Sequence, residues 1–162
     1  MSTIKVDTLQ TRAGSTAAVT GAGFVATDQI RGNTAAGSTT VVAEGGSTTT
    51  NLQQGLCKCW TQIDGTGTIE SRDSFNVTGL TDNGTGDYTI TIANDMGNDD
   101  YAVLQNALYP ASRVLHVGDD GSGFAIAAGS YRQLMSYTTG NNGEATAADA
   151  DYVMTTFHGD LA

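Results

Sequence analysis

From Leu56 onward, apolar and polar residues alternate in short stretches separated by polar turns. In Tyr88 to Ala93, the residues Tyr88, Ile90 and Ile92 share one face, with Thr89 and Thr91 on the other. Successive side chains of an extended chain point to opposite faces, so this pattern predicts a strand with one side buried. A second alternating stretch, Ser74 to Thr81, precedes it, and the polar run Asp82-Asn83-Gly84-Thr85-Gly86-Asp87 joins the two. Asn and Gly tolerate the positive φ of a tight turn, so the pair predicts a β-hairpin. The same reading places strands at 56–63, 66–70, 73–81, 88–93, 100–108, 112–117, 123–127, 131–138 and 152–158. Regular short strands with polar turns imply an all-β fold, an antiparallel sandwich or barrel-like C-terminal domain spanning residues 56–162. One stretch competes: Glu144 to Ala150, EATAADA, has the composition of one or two helical turns. No repeat of fixed period runs through the chain, which argues against a solenoid or propeller.

Several of these strands are apolar on both faces. Tyr101 and Val103 lie opposite Leu104 and Leu108, and Tyr131, Met135 and Tyr137 lie opposite Leu134. A lone sandwich needs one buried face per sheet, so the second apolar face implies a further contact, most economically with other copies of the chain.

The first third reads differently. Residues 1–25 open with Ile4, Val6 and Leu9 and then turn small and polar. Residues 26–55, rich in Gly, Ser and Thr, hold only Ile30, Val41, Val42 and Leu52 as large aliphatics. So little apolar burial does not offset a chain entropy of roughly 1–2 kcal/mol per residue. This stretch is therefore either a flexible linker or a slender shaft ordered by packing against other copies, and its Thr and Val content favours the shaft.

Composition narrows the function. The chain of 162 residues has 21 Gly and one Pro, and 17 acidic against seven basic residues give a net charge of −10. Such a surface repels phosphate backbones and argues against nucleic-acid binding. No stretch reaches the length of a membrane span, and no cationic and apolar leader opens the chain, so synthesis in the cytoplasm without membrane insertion is expected.

Candidate chemistry is sparse. Cys57 and Cys59 sit two apart in a predicted strand and point to one face beside Ile63, as small buried groups; a disulfide between such near neighbours is geometrically awkward. Neither His116 nor His158 stands in a spacing that completes a metal site or a catalytic triad. No nucleophile elbow, zinc-protease helix or phosphate loop is present. The carboxylates Glu70, Asp73, Asp99, Asp100, Asp119, Asp120, Asp149 and Asp151 would serve a glycosidase pair, yet most lie in predicted turns, where Asp bonds its own backbone. Asp82 with Asp87, and Asp119 with Asp120, offer oxygen ligands to calcium without the spacing of a calcium loop. The expectation is no catalytic residue, no cofactor and no metal.

The stretch CW…GTGTI…DSFNV…TDNGTGDYTI…YAV, within Lys58 to Val103, resembles a segment recurrent in bacteriophage fibre and other virion surface proteins, notably of phages that infect aquatic bacteria. The opening MSTIKVDTLQT resembles the short N-terminal segment with which such proteins begin. The resemblance implies a non-enzymatic virion protein: a short tail-fibre subunit, homotrimeric, anchored to other virion proteins through Ile4, Val6 and Leu9, and displaying its β domain to a host-surface glycan or protein. Fibres of this kind carry a longer shaft or tip, so a capsid decoration or head fibre is the alternative. A small carbohydrate-active enzyme is the third reading.

Overall fold

The computed structural model describes residues 30, 39–108, 113–117, 126–139 and 144–162. The chain divides into two compact units, Met1–Arg31 and Gly32–Ala162. The expected anchor at Ile4, Val6 and Leu9 lies outside the described residues, as do Asp119 and Asp120.

Strands dominate the described residues of the second unit. In chain order they are β1 (Thr40–Val42), β2 (Thr49–Asn51), a single turn of helix α1 (Leu52–Gly55), β3 (Cys57–Asp64), β4 (Glu70–Phe75), β5 (Val77–Gly84), β6 (Asp87–Ile92), β7 (Ala102–Leu108), β8 (Arg113–Val117), β9 (Ile126–Ala127), β10 (Ser130–Thr139), β11 (Glu144–Ala147) and β12 (Tyr152–His158). One sheet has the order β4-β3-β12-β7. The other is organised on β10, which pairs with β6, β8, β9 and β11. Gln133 and Leu134 pair with both β6 and β8, and Ser136 and Tyr137 with both β8 and β11. A strand residue has only two sides, so β6 and β11 follow one another along one edge of β10. The strand β5 completes this sheet through the predicted hairpin with β6.

The two sheets form an antiparallel sandwich, and its core follows the period-two pattern. Tyr88 and Ile90 of β6, Tyr131 and Met135 of β10, Val153 and Phe157 of β12, and Cys59 and Ile63 of β3 are all fully buried. The Phe157 ring meets Tyr101 and Tyr131 edge-on, with centroids 5.6 and 5.3 Å apart. Edge-to-face contact sets the positive ring edge against a negative face, adding about 0.5–1.5 kcal/mol per pair beyond area burial.

The structure departs from the sequence reading in three places. The expected strand 73–81 is two strands in different sheets, broken at Asn76, whose φ is 62°. Asn tolerates this left-handed conformation because its side chain bonds locally. Here Nδ2 donates to the carbonyls of Lys58 (3.0 Å) and Asn94 (3.1 Å), while Oδ1 accepts from the Asn94 amide (2.7 Å). Residues 66–69, expected to be strand, form the loop before β4, where the Thr66 amide and hydroxyl both bond Asp64 Oδ1. Glu144–Ala147, expected to compete as helix, is strand β11, because pairing with Ser136–Thr139 outweighs the helix propensity of its alanines.

The β1–β2 hairpin forms a separate two-stranded sheet with Thr40 to Thr50 exposed. The turn α1 follows it. Asn51 caps its start by accepting from the Gln54 amide, and Lys58 Nζ donates to the Gln53 and Leu56 carbonyls at its end. A cation there satisfies carbonyls that lack helical partners.

Candidate interaction surface

The two outer faces of the sandwich differ in chemistry. On the β10 sheet, Arg132 grips Asp87 through Nε (2.8 Å) and a terminal nitrogen (2.6 Å). Asn83 Nδ2 donates to Asp87 (3.2 Å) and to Thr89 Oγ1 (2.8 Å), and Thr81 and Thr91 are exposed nearby. Among the described side chains, the β5–β6 part of this face is polar.

The outer face of the first sheet interleaves exposed apolar residues with polar ones, and strand register builds it in rows. Phe75, Trp60, Thr156 and Leu104 are neighbours across all four strands, from β4 through β3 and β12 to β7. The next row is Asp73, Gln62, Met154 and Asn106. Beyond it Tyr152 pairs with Leu108. A bulge sets in at Gln62/Ile63, where Ile63 pairs with Ser71 after Gln62 has paired with Asp73. The extra residue, Arg72, thereby reaches the outer face. There its guanidinium lies 4.4 Å from the Tyr152 ring centroid, bonds Asp64 and donates to the Asp151 carbonyl. Phe75, Leu104 and Leu108 are 54%, 62% and 63% exposed, and Trp60, Met154 and Tyr152 are half-buried. Single exposed apolar residues are ordinary, whereas several on one face of one sheet, as with the adjacent pairs Phe75–Trp60 and Tyr152–Leu108, point to a contact surface.

Sequence reading singled out Leu104 and Leu108 but missed Phe75, Trp60, Met154 and Tyr152. They come from strands far apart in the chain, and only register brings them together. Leu134, the other predicted outward apolar residue, is half-buried.

The remaining candidates are accounted for by local structure. Cys59 is buried and Cys57 half-buried, both as free thiols, with Cys57 Sγ donating to the Cys59 carbonyl at 3.1 Å. Burial, and secondarily the neighbouring Cys57, push the Cys59 thiol up to about 12, so it is neither a ready nucleophile nor a ready ligand. Asp149 Oδ1 accepts from Tyr88 Oη (2.8 Å) and the Gly86 amide (2.7 Å), which makes it a clasp between the β6 turn and the approach to β12. Asp82 accepts from the Gly84 amide at 2.9 Å, as a turn residue does. Glu70, Asp73, Asp99, Asp100 and Asp151 are exposed, and His158 is half-buried at the end of β12. Among the described residues no cluster of three or more His, Cys, Asp or Glu is placed to hold a metal ion, and no helix is long and apolar enough to cross a membrane.

In comparisons with known proteins, no family model, no curated protein and no solved structure matches this chain.

Proposed function

We propose that this chain is a non-enzymatic structural protein of a bacteriophage particle, a short fibre subunit attached by its N-terminal segment and displaying the β sandwich at the virion surface. The observation that supports this reading is the set of exposed apolar side chains, Phe75, Leu104 and Leu108, on the outer face of the β4-β3-β12-β7 sheet. A domain whose fold is already complete gains nothing from such a face in water, and a subunit that assembles with other proteins does. The resemblance of the segment Lys58 to Val103 to virion surface proteins supplies the biological setting, and a threefold assembly is the copy number that the resemblance implies.

The test is made on particles. Replacing Ile4, Val6 and Leu9 together by Ser removes up to three aliphatic contacts, each worth roughly 1.5–3 kcal/mol when fully buried. Copies linked in one assembly multiply that loss through effective concentration. The expected result is a folded, soluble variant that is missing from purified particles. Retention of the variant at normal amounts, with density for it on the capsid in electron micrographs, would transfer the reading to a capsid decoration. Absence of the unaltered protein from every particle would end the virion reading altogether.

A further inference from the structure

The two edge strands of the first sheet carry groups on its outer face that complement each other. The β4–β3 half presents aromatic rings, Phe75 and Trp60, and the Asp73 carboxylate. The β7 half presents Leu104 and Leu108, with the Asn106 amide between them. Asp73 Oδ1 accepts from the Ser74 amide (2.8 Å), which leaves Oδ2 as the outward acceptor. Asn106 Oδ1 accepts from the Ala107 amide (2.9 Å), which leaves Nδ2 as the outward donor. Asp73 and Asn106 stand in the same row at opposite edges of the sheet.

We infer that this face is the self-association surface of the protein, and that the aromatic half of one copy packs on the leucine half of a second copy. About a twofold axis parallel to the strands, each row meets its own counterpart reversed. Phe75 then falls opposite the second copy's leucine at the Leu104 position, and Asp73 falls opposite its amide at the Asn106 position. A heterologous version of the contact, in which each copy gives one half to each of two neighbours, closes a ring instead. Register favours a second copy as the occupant: Asp73 meets a donor that the chain itself supplies and Phe75 meets a leucine, while Arg72 pairs with Asp64 and the exposed Glu70, in register with Asp64, stays at the edge of the face. Four strands at about 4.8 Å and seven residues at about 3.4 Å make a footprint of roughly 400 Å² per copy. That lies below the roughly 800 Å² of accessible surface per partner in a standard interface, so association belongs in the micromolar range.

The inference rests on the reading of the chain as an assembling subunit, and a charge exchange in the full-length protein tests it. Asn106→Asp keeps an oxygen for the Ala107 amide, so the fold is retained, but sets a carboxylate opposite Asp73. Association measured by sedimentation should weaken by about tenfold or more, since like charges apposed at an interface are strongly unfavourable. The exchanged variant D73N/N106D restores one carboxylate opposite one amide and should associate as the unaltered chain does. Trp60, the single tryptophan, gives an independent readout: its emission should shift to shorter wavelength as the unaltered protein is concentrated, and less so for N106D. Dimers or trimers with this pattern support the inference. A monomer throughout the micromolar range, an N106D variant that associates normally, or an exchanged variant that stays dissociated would each overturn it. Overturning it this way leaves the virion reading standing, because that reading falls only on the protein's absence from particles.

Discussion

Thr155 on β12 donates a hydrogen bond from Oγ1 to Gln133 Oε1 on β10 at 2.7 Å, joining the two sheets inside the core. Both side chains are fully buried. Gln133 Nε2 is the one buried side-chain nitrogen or oxygen among the described residues that has no hydrogen-bond partner. The bond thus stands beside an amide nitrogen with no protein partner among the described residues.

Removing one member of this pair should cost more than removing both. Thr155→Val leaves the Gln133 carbonyl oxygen unpaired as well as its nitrogen, and about 1–3 kcal/mol of stability should be lost. The double variant T155V/Q133M replaces both polar groups by apolar ones of similar volume and should recover most of that loss. Urea unfolding of the single and double variants decides the matter. A double variant less stable than T155V would contradict the account.

Gly86 occupies the point where β6 gives way to β11 along one edge of β10. Its carbonyl accepts from the Met135 amide at 2.6 Å, and its φ is +69°. A Cβ there would run into the Met135 carbonyl and come within 2.8 Å of the Ala148 carbonyl oxygen. Gly67 has a similar φ of +65° but open space around it. Gly67→Ala should therefore cost only the conformational penalty, about 1–2 kcal/mol. Gly86→Ala should add overpacking of about 1–3 kcal/mol. Thermal melts of equal midpoint for the two variants would rule this out.

The core tyrosines make the fold sensitive to alkali. Burial pushes the Tyr131 hydroxyl up to about 12. Tyr101 is raised further, also by burial, and Tyr88 by burial and by its hydrogen bond to Asp149. A hydroxyl whose folded value exceeds its unfolded value of 10.0 contributes stability that is complete below pH 10 and is lost as pH rises through the folded value. Stability should hold to about pH 10 and then fall steeply, with tyrosinate absorbance and loss of the β-type circular dichroism arriving together. Smooth ionisation of all six tyrosines near pH 10 with the fold intact would refute it.

The two cysteines should differ in reactivity. Alkylation of the native protein at mildly alkaline pH should modify Cys57 and spare Cys59, which is buried and protonated, until denaturant opens the sandwich. Equal modification of both thiols in the folded state, read by peptide mass, would show that the core admits reagent at β3.

Which residues face inward along a strand was determined by the sequence itself. The alternation of Tyr88, Ile90 and Ile92 is the burial pattern of β6, and the expected strand 152–158 is β12 to the residue. Burial on one side of a pleated strand imposes a period of two, and that period is local, so it is written in consecutive residues. Where each strand lies was not legible. Reading Ser74 to Thr81 as one alternating strand concealed the change of sheet at Asn76, and the alanines of β11 concealed a strand that pairs with β10. Cys59 could be placed inside from its neighbours, whereas the burial of Lys58 depends on the α1 carbonyls that receive its ammonium group. The contact face is the furthest from sequence of all. Leu104 was singled out with Leu108 whereas Phe75 and Trp60 were not, and these residues come to share one face only through the pairing of β4, β3, β12 and β7. Local pattern sets the direction of a side chain; tertiary pairing, with its bulge at Gln62/Ile63, sets its neighbours.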